Sequence, residues 1–214
     1  MVKDKEEKNR KLSEAEQRRL SAYEELSAAY MAQGYRRTEL TVGIVAANIF
    51  ALICGLPVII ISVILFVLLH PGKPPFLDSL PQMILLLVVM LVLVVVHELV
   101  HGITWSLFAE HHWKDIEFGF MKEYLTPYCT CACPLDKGHY ILGALMPLIL
   151  LGLIPLVIAI IAGSAFWLYL GIIMTLSAGG DIMIVINLLK YKSQAKEIVY
   201  IDHPTQAGGV IFER

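Results

Sequence analysis

Of all the side chains in this sequence, His97 and His101, four positions apart in His97-Glu98-Leu99-Val100-His101, are the best placed to do chemistry. On a helix, positions i and i+4 lie on one face, one turn apart. That spacing lets both imidazoles bind one Zn²⁺, with the intervening Glu98 beside the metal's open position as general base. The chemistry it implies is hydrolysis by a zinc-activated water. The motif closes an apolar run, Ile84 to Val96, that belongs in a lipid bilayer. Ionisable groups inside a membrane span are costly and mark function by default.

Catalytic zinc usually has three protein ligands and one open position. Candidates for the third are His70, His111, His112, His139, His203, Glu110, Asp181 and the thiols of Cys129, Cys131 and Cys133. Asp181 stands apart as the only charged side chain between Ala165 and Leu189. A lone Asp at mid-membrane costs on the order of 3 kcal/mol, which a divalent cation would offset by binding the carboxylate. Gly179 and Gly180 just before it would let a neighbouring helix come close. Cys129-x-Cys131-x-Cys133 lacks the wider spacing of structural zinc sites, and free thiols are the expectation. His111 and His112 read as a loop pair at the membrane interface.

The elements that must position these groups are membrane spans. The chain of 214 residues is 57% hydrophobic and 17% charged, with a mean hydropathy of +0.67. Soluble domains hold about 45–50% apolar and about 25% charged residues. Four spans are predicted, at about 41–69, 81–109, 140–162 and 165–189, with the first acting as its own uncleaved signal. Pro57, Pro147 and Pro155 fall inside them. Arg36 and Arg37 precede the first span, and Lys190, Lys192 and Lys196 follow the fourth, so both termini are expected in the cytoplasm at the cell membrane. His101 and Asp181 then lie roughly 10–12 Å below the same cytoplasmic surface, at about 1.5 Å per residue.

Outside the spans, 1–40 is expected to be a cytoplasmic helical segment and 190–214 a cytoplasmic tail. Ser13-Glu14-Ala15-Glu16 fits a capping box and Gly34 a helix stop. Leu20, Tyr23, Leu26, Tyr30 and Met31 make a partial apolar stripe between them. Nine basic and eight acidic residues in 1–40 argue against a nucleic-acid arm. Between spans two and three, Ile116, Phe118 and Phe120 alternate with Glu117 and Gly119, and Tyr124 to Cys131 is a second β-prone run. A short cytoplasmic hairpin is expected there, with Pro127 on an edge. The tail holds two β-like pieces, Ile198–Ile201 and Val210–Phe212. The predicted class is an all-α membrane protein with four transmembrane helices and a hairpin-like insertion between the second and third.

His97–Gly102, Phe118-Gly119-Phe120, Tyr128-Cys129, Pro134-Leu135, Gly143–Leu148, Ser177–Ile182 and Asp202-His203-Pro204 together resemble a small bacterial multi-pass family of zincin-type peptidases of unknown function. The order of HExxH helix, β-like element and later Asp also resembles the site-2 type of intramembrane zinc metalloprotease. The resemblance covers roughly 41–214. It implies a zinc site made of His97, His101 and Asp181, Glu98 as base, and a membrane-protein or peptide substrate held at the bilayer. In the site-2 class the glycine follows the Asp ligand, whereas Gly179-Gly180 precede Asp181 here. The alternative is a non-catalytic zinc-binding membrane adaptor or sensor. A transporter is disfavoured, because the sequence has no inverted repeat.

Overall fold

The computed structural model describes residues 12–121 and 126–214. Helix α1 (Glu14–Ala32) starts in the predicted capping box: Glu16 N–H donates to Ser13 Oγ, and Ser13 N–H donates to Glu16 Oε2 at 2.9 Å. It stops one residue before Gly34, whose φ of 87° suits a residue without Cβ. Leu20, Tyr23, Leu26 and Tyr30 pack on Ile201, Val210 and Phe212, whereas Met31 of the expected stripe is exposed. The segment therefore lies against another part of the protein. Residues 1–11 of the predicted segment lie outside those described.

Strand β1 (Arg36–Thr41) leads into helix α2 (Ile44–Leu69), and helix α3 (Leu80–Ser106) carries the histidines. Pro81 in the first turn of α3 costs no hydrogen bond, because the N–H it lacks would have no partner there. A hairpin follows, β2 (Ile116–Met121) paired antiparallel with β3 (Thr126–Cys131). Tyr124 and Leu125, expected at the start of the second strand, lie outside the described residues. Helix α4 (Lys137–Pro147), a π-helical stretch (Leu148–Leu153) and helix α5 (Ile154–Ala162) form the third long helical unit. Pro155 cannot donate to the carbonyl four residues back, and its ring crowds that carbonyl. The wider π turns fall immediately before it.

Helix α6 (Ala165–Ser177) and helix α7 (Gly179–Lys190) replace the single fourth span that composition predicts; they bend by 45° at Ala178. Gly179 explains the close packing at the break, since a Cβ there would stand 2.6 Å from the Cα of Ala51 in α2. Strands β4 (Ile198–Asp202) and β5 (Gly208–Glu213) end the chain, and the sheet order is β1-β5-β4. Gly208 has φ of 116°, with the Leu40 carbonyl where a Cβ would go.

The chain is mostly helical and carries the expected hairpin, and the three-stranded sheet is what departs from the all-α expectation. Among the described residues, three helical units are long and apolar enough to cross a membrane, and four if the bent pair counts as one span. Leu52, Ile53, Leu68, Leu87, Leu91 and Val95 are exposed along α2 and α3. Such a wide apolar surface is compatible with a membrane protein and out of keeping with a water-soluble monomer. The main core lies beneath the hairpin, where Trp105, Ile116, Cys131, Tyr140, Leu188, Tyr200 and Ile211 are buried together.

Candidate metal centre

His97 and His101 are both buried on α3, and Asp181 reaches them from the first turn of α7. His97 Nε2 lies 3.2 Å from Asp181 Oδ2, and His101 Nε2 lies 3.5 Å from Asp181 Oδ1. One ligand atom from each of the three falls within 4.8 Å of the others, and no other such group is found among the described residues. Gly180, where an added Cβ would meet nothing within 4 Å, lines the cavity beside them. Of the glycine pair, only Gly179 serves helix approach.

The donor set fits a cation. His101 Nδ1–H donates to the Gly143 carbonyl at 2.9 Å, so Nε2 is the ring nitrogen that faces the Asp181 carboxylate. A metal ion or a proton between that nitrogen and the carboxylate oxygen removes the repulsion of two electron-rich atoms at this separation. A hydrogen bond from the far ring nitrogen to a carbonyl is also how metal-binding imidazoles are oriented. Gly143 can hold this place because Trp105 covers it: a Cβ there would stand 2.0 Å from the indole Nε1. Trp105 in turn stacks on His101 with ring centroids 5.1 Å apart and donates to the Tyr140 carbonyl. His97 Nδ1 has no partner among the described residues.

Glu98 lies beside the pair, and the backbone of Cys129 hydrogen-bonds its carboxylate. The register explains why. Ala132 N–H donates to Asp115 O, so the paired residues Cys131 and Ile116 are a non-hydrogen-bonded couple. The backbone groups of Pro127, Cys129 and Cys131 therefore point away from β2, towards the open edge. Pro127 sits where a strand residue can do without its N–H. Cys131 N–H donates to Asp202 Oδ2 at 2.8 Å.

The other candidates do not join the centre. Burial pushes the Cys129 thiol up, with Asp202 and Glu98 adding to it. Cys131 and Cys133 face each other with sulfurs 3.5 Å apart, and their shared hydrogen bond raises the Cys131 thiol. All four cysteines are free. His70 Nε2 bonds the Ile160 carbonyl at 2.7 Å, His111 pairs with Asp115, and His139 stacks on Phe108. His203 Nδ1 accepts from the N–H groups of Thr205 and Gln206.

Sequence reasoning missed most of the cavity wall. A cavity of about 340 Å³ joins His97, Glu98, His101 and Asp181 to Arg19 on α1, Tyr128 on β3, Tyr140 on α4 and Asp202 on β4. Asp202 accepts from Tyr140 Oη at 2.6 Å as well as from Cys131. Burial pushes its carboxyl up from 3.8 to about 6, against those two bonds, which favour the anion. Between about pH 4 and about pH 6 the folded chain keeps this proton after the unfolded chain has lost it, so its contribution to stability falls as pH rises through that window. Thermal melts in detergent at several pH values check this: the fall seen in the wild-type chain is expected to flatten in D202N. The signals in the sequence were Tyr128-Cys129 and Asp202-His203-Pro204, visible as parts of a family pattern with no role attached.

No curated protein and no solved structure matches the chain. Residues 90–196, half of its length, match the family described as "putative zincin peptidase", a description that implies zinc. The matched stretch includes both histidines, Glu98 and Asp181, and the chain belongs to that family.

Proposed function

We propose that this protein is an intramembrane zinc metallopeptidase of the site-2 type, cutting membrane-associated polypeptides near the cytoplasmic face. The observation that carries this reading is the convergence of His97, His101 and Asp181 within 4.8 Å, with Glu98 beside them on the same cavity. His97, His101 and Asp181 would hold the metal. Zinc, when bound, supplies Lewis acidity, polarising a carbonyl oxygen and acidifying water. Glu98 takes the proton from the attacking water and delivers it to the leaving amine nitrogen. The Cys129 backbone bond keeps the Glu98 carboxylate aimed at the cavity. On the outward-facing edge of β3 the N–H groups are taken by Glu98 and Asp202 or, at Pro127, absent, so an extended segment would pair there only with carbonyl oxygens. The basic residues flanking the first and fourth spans support a cell-membrane location with both termini in the cytoplasm.

The test is cleavage of single-span reporter polypeptides by the purified full chain in proteoliposomes, with new termini mapped by mass spectrometry. Cuts are expected near the cytoplasmic end of the reporter span, lost on chelation and restored by zinc. Intact reporters in the presence of stoichiometric bound zinc would overturn the reading.

A further inference from the structure

The hairpin is held between two helices, and its two faces differ. Ile116, Phe118 and Cys129 turn towards Gly102 of α3, where a Cβ would meet all three side chains within 3.2 Å. Tyr128, Thr130 and Glu117 turn the other way, towards α1; Thr130 lies opposite Glu117, and Tyr128 opposite Gly119. Gly119 is needed there because the Tyr128 ring lies 2.2 Å from the place of its missing Cβ. Arg19 of α1 meets this second face.

The surroundings of Arg19 are unusual for a buried cation. Its side chain is 8% exposed, yet its closest partners are neutral. One terminal nitrogen donates to Tyr128 Oη at 2.6 Å, the other approaches Thr130 Oγ1 at 3.5 Å, and the guanidinium carbon lies 4.7 Å from the centre of the Tyr128 ring. Nε has no hydrogen-bond acceptor among the described residues. The nearest ion-pair partner is Glu117, half-exposed and 3.8 Å away. The other carboxylates on the cavity wall have donors of their own: Asp202 accepts from Tyr140 and Cys131, and Glu16 accepts from Ser13. A guanidinium out of water calls for a hydrogen-bonded anion, and its planar fork of donors matches a carboxylate.

We propose that Arg19 is a specificity-determining residue that binds a carboxylate of the polypeptide lying in the cavity. This rests on the peptidase reading. Arg19 and Glu98 line one cavity, together with Tyr128, Cys129 and Thr130 of β3. Side chains of an extended segment alternate in direction, so those on one side face α3 and those on the other face α1 and Arg19. The carboxylate belongs either to an acidic side chain on the α1-facing side or to the segment's own C-terminus.

The experiment measures binding of decapeptide libraries to the full chain carrying E98Q, in nanodiscs with zinc. One library is amidated, with a single position fixed as Glu, Gln or Lys; a second has a free C-terminal carboxylate. Glu at one position, or the free C-terminus, is expected to bind about tenfold tighter than its neutral counterpart, as a charge-assisted pair would give. R19Q should erase that difference, and R19K, which keeps the charge and most of the packing, should retain part of it. Equal binding of Glu and Gln peptides and of both C-terminal forms, a preference that survives R19Q, or no peptide binding at all overturns the proposal. The comparison of Glu with Gln leaves the Arg19 side chain unaltered, so it stands even where R19Q fails to fold. Reporter cleavage by the wild-type chain is scored separately. A peptidase without carboxylate preference sinks only the role of Arg19, and peptide binding without cleavage sinks only the peptidase.

Discussion

In E98Q, reporter cleavage is expected to fall by about 10²–10⁴-fold while zinc stays at about one per chain. The two halves of this result come from different atoms. The metal-capable group consists of His97, His101 and Asp181, and Glu98 is not among them. The amide oxygen of Gln can still accept from the Cys129 backbone, so the hairpin keeps its place beside α3. What the amide cannot do is take a proton from water. The loss should therefore lie in kcat, with KM little changed, because the missing interaction belongs to the transition state. Zinc content by mass spectrometry and cleavage rates in proteoliposomes measure both halves. A metal that merely pins α3 to α7 would be indifferent to this change, since a structural site is closed by four protein ligands and needs no base. An E98Q chain that cuts reporters at the wild-type rate would leave only that role.

The site was legible where local chemistry leaves a mark. Two histidines one turn apart, and a single carboxylate in an otherwise uncharged apolar stretch, stand out whatever the tertiary packing. The hairpin was legible too, because Ile116, Phe118 and Phe120 alternate with other residues. Strand β1 was not: Arg-Arg-Thr-Glu-Leu-Thr looks like a polar stretch ahead of a span. Its conformation comes from pairing with β5, to which Arg36 and Glu213 belong, 177 positions apart. The bend at Ala178 was equally hidden, because Ser-Ala-Gly-Gly permits both close packing and a break, and the packing against Ala51 decides. Arg19 is one of seventeen basic residues in the chain, and nothing in the sequence sets it apart. Only the fold brings it to the wall of the cavity that holds Glu98.

For D181N, zinc affinity is expected to drop by more than the ~10–100-fold that losing an outer hydrogen-bond partner costs, because a ligand itself is gone. The thermal consequence separates the roles of this carboxylate. Zinc at about 1,000 times its Kd stabilises a folded wild-type site by about 4 kcal/mol, so the wild-type melting temperature should rise on zinc addition and that of D181N should not. Without metal the order should reverse. In that state the Asp181 oxygens lie 3.2 and 3.5 Å from imidazole nitrogens, the second of them Nε2 of His101. An asparagine amide could donate a hydrogen bond to that nitrogen, and it removes a charge that costs on the order of 3 kcal/mol to bury in a bilayer. Metal-free D181N should thus melt at or above metal-free wild type. Scanning calorimetry of both chains in detergent, with and without zinc, measures all four states. Unchanged zinc affinity in D181N would move the third ligand elsewhere. A metal-free D181N that melts well below wild type would mean that Asp181 stabilises the helices in its own right, and that the carboxylate is there for the fold as well as for the metal.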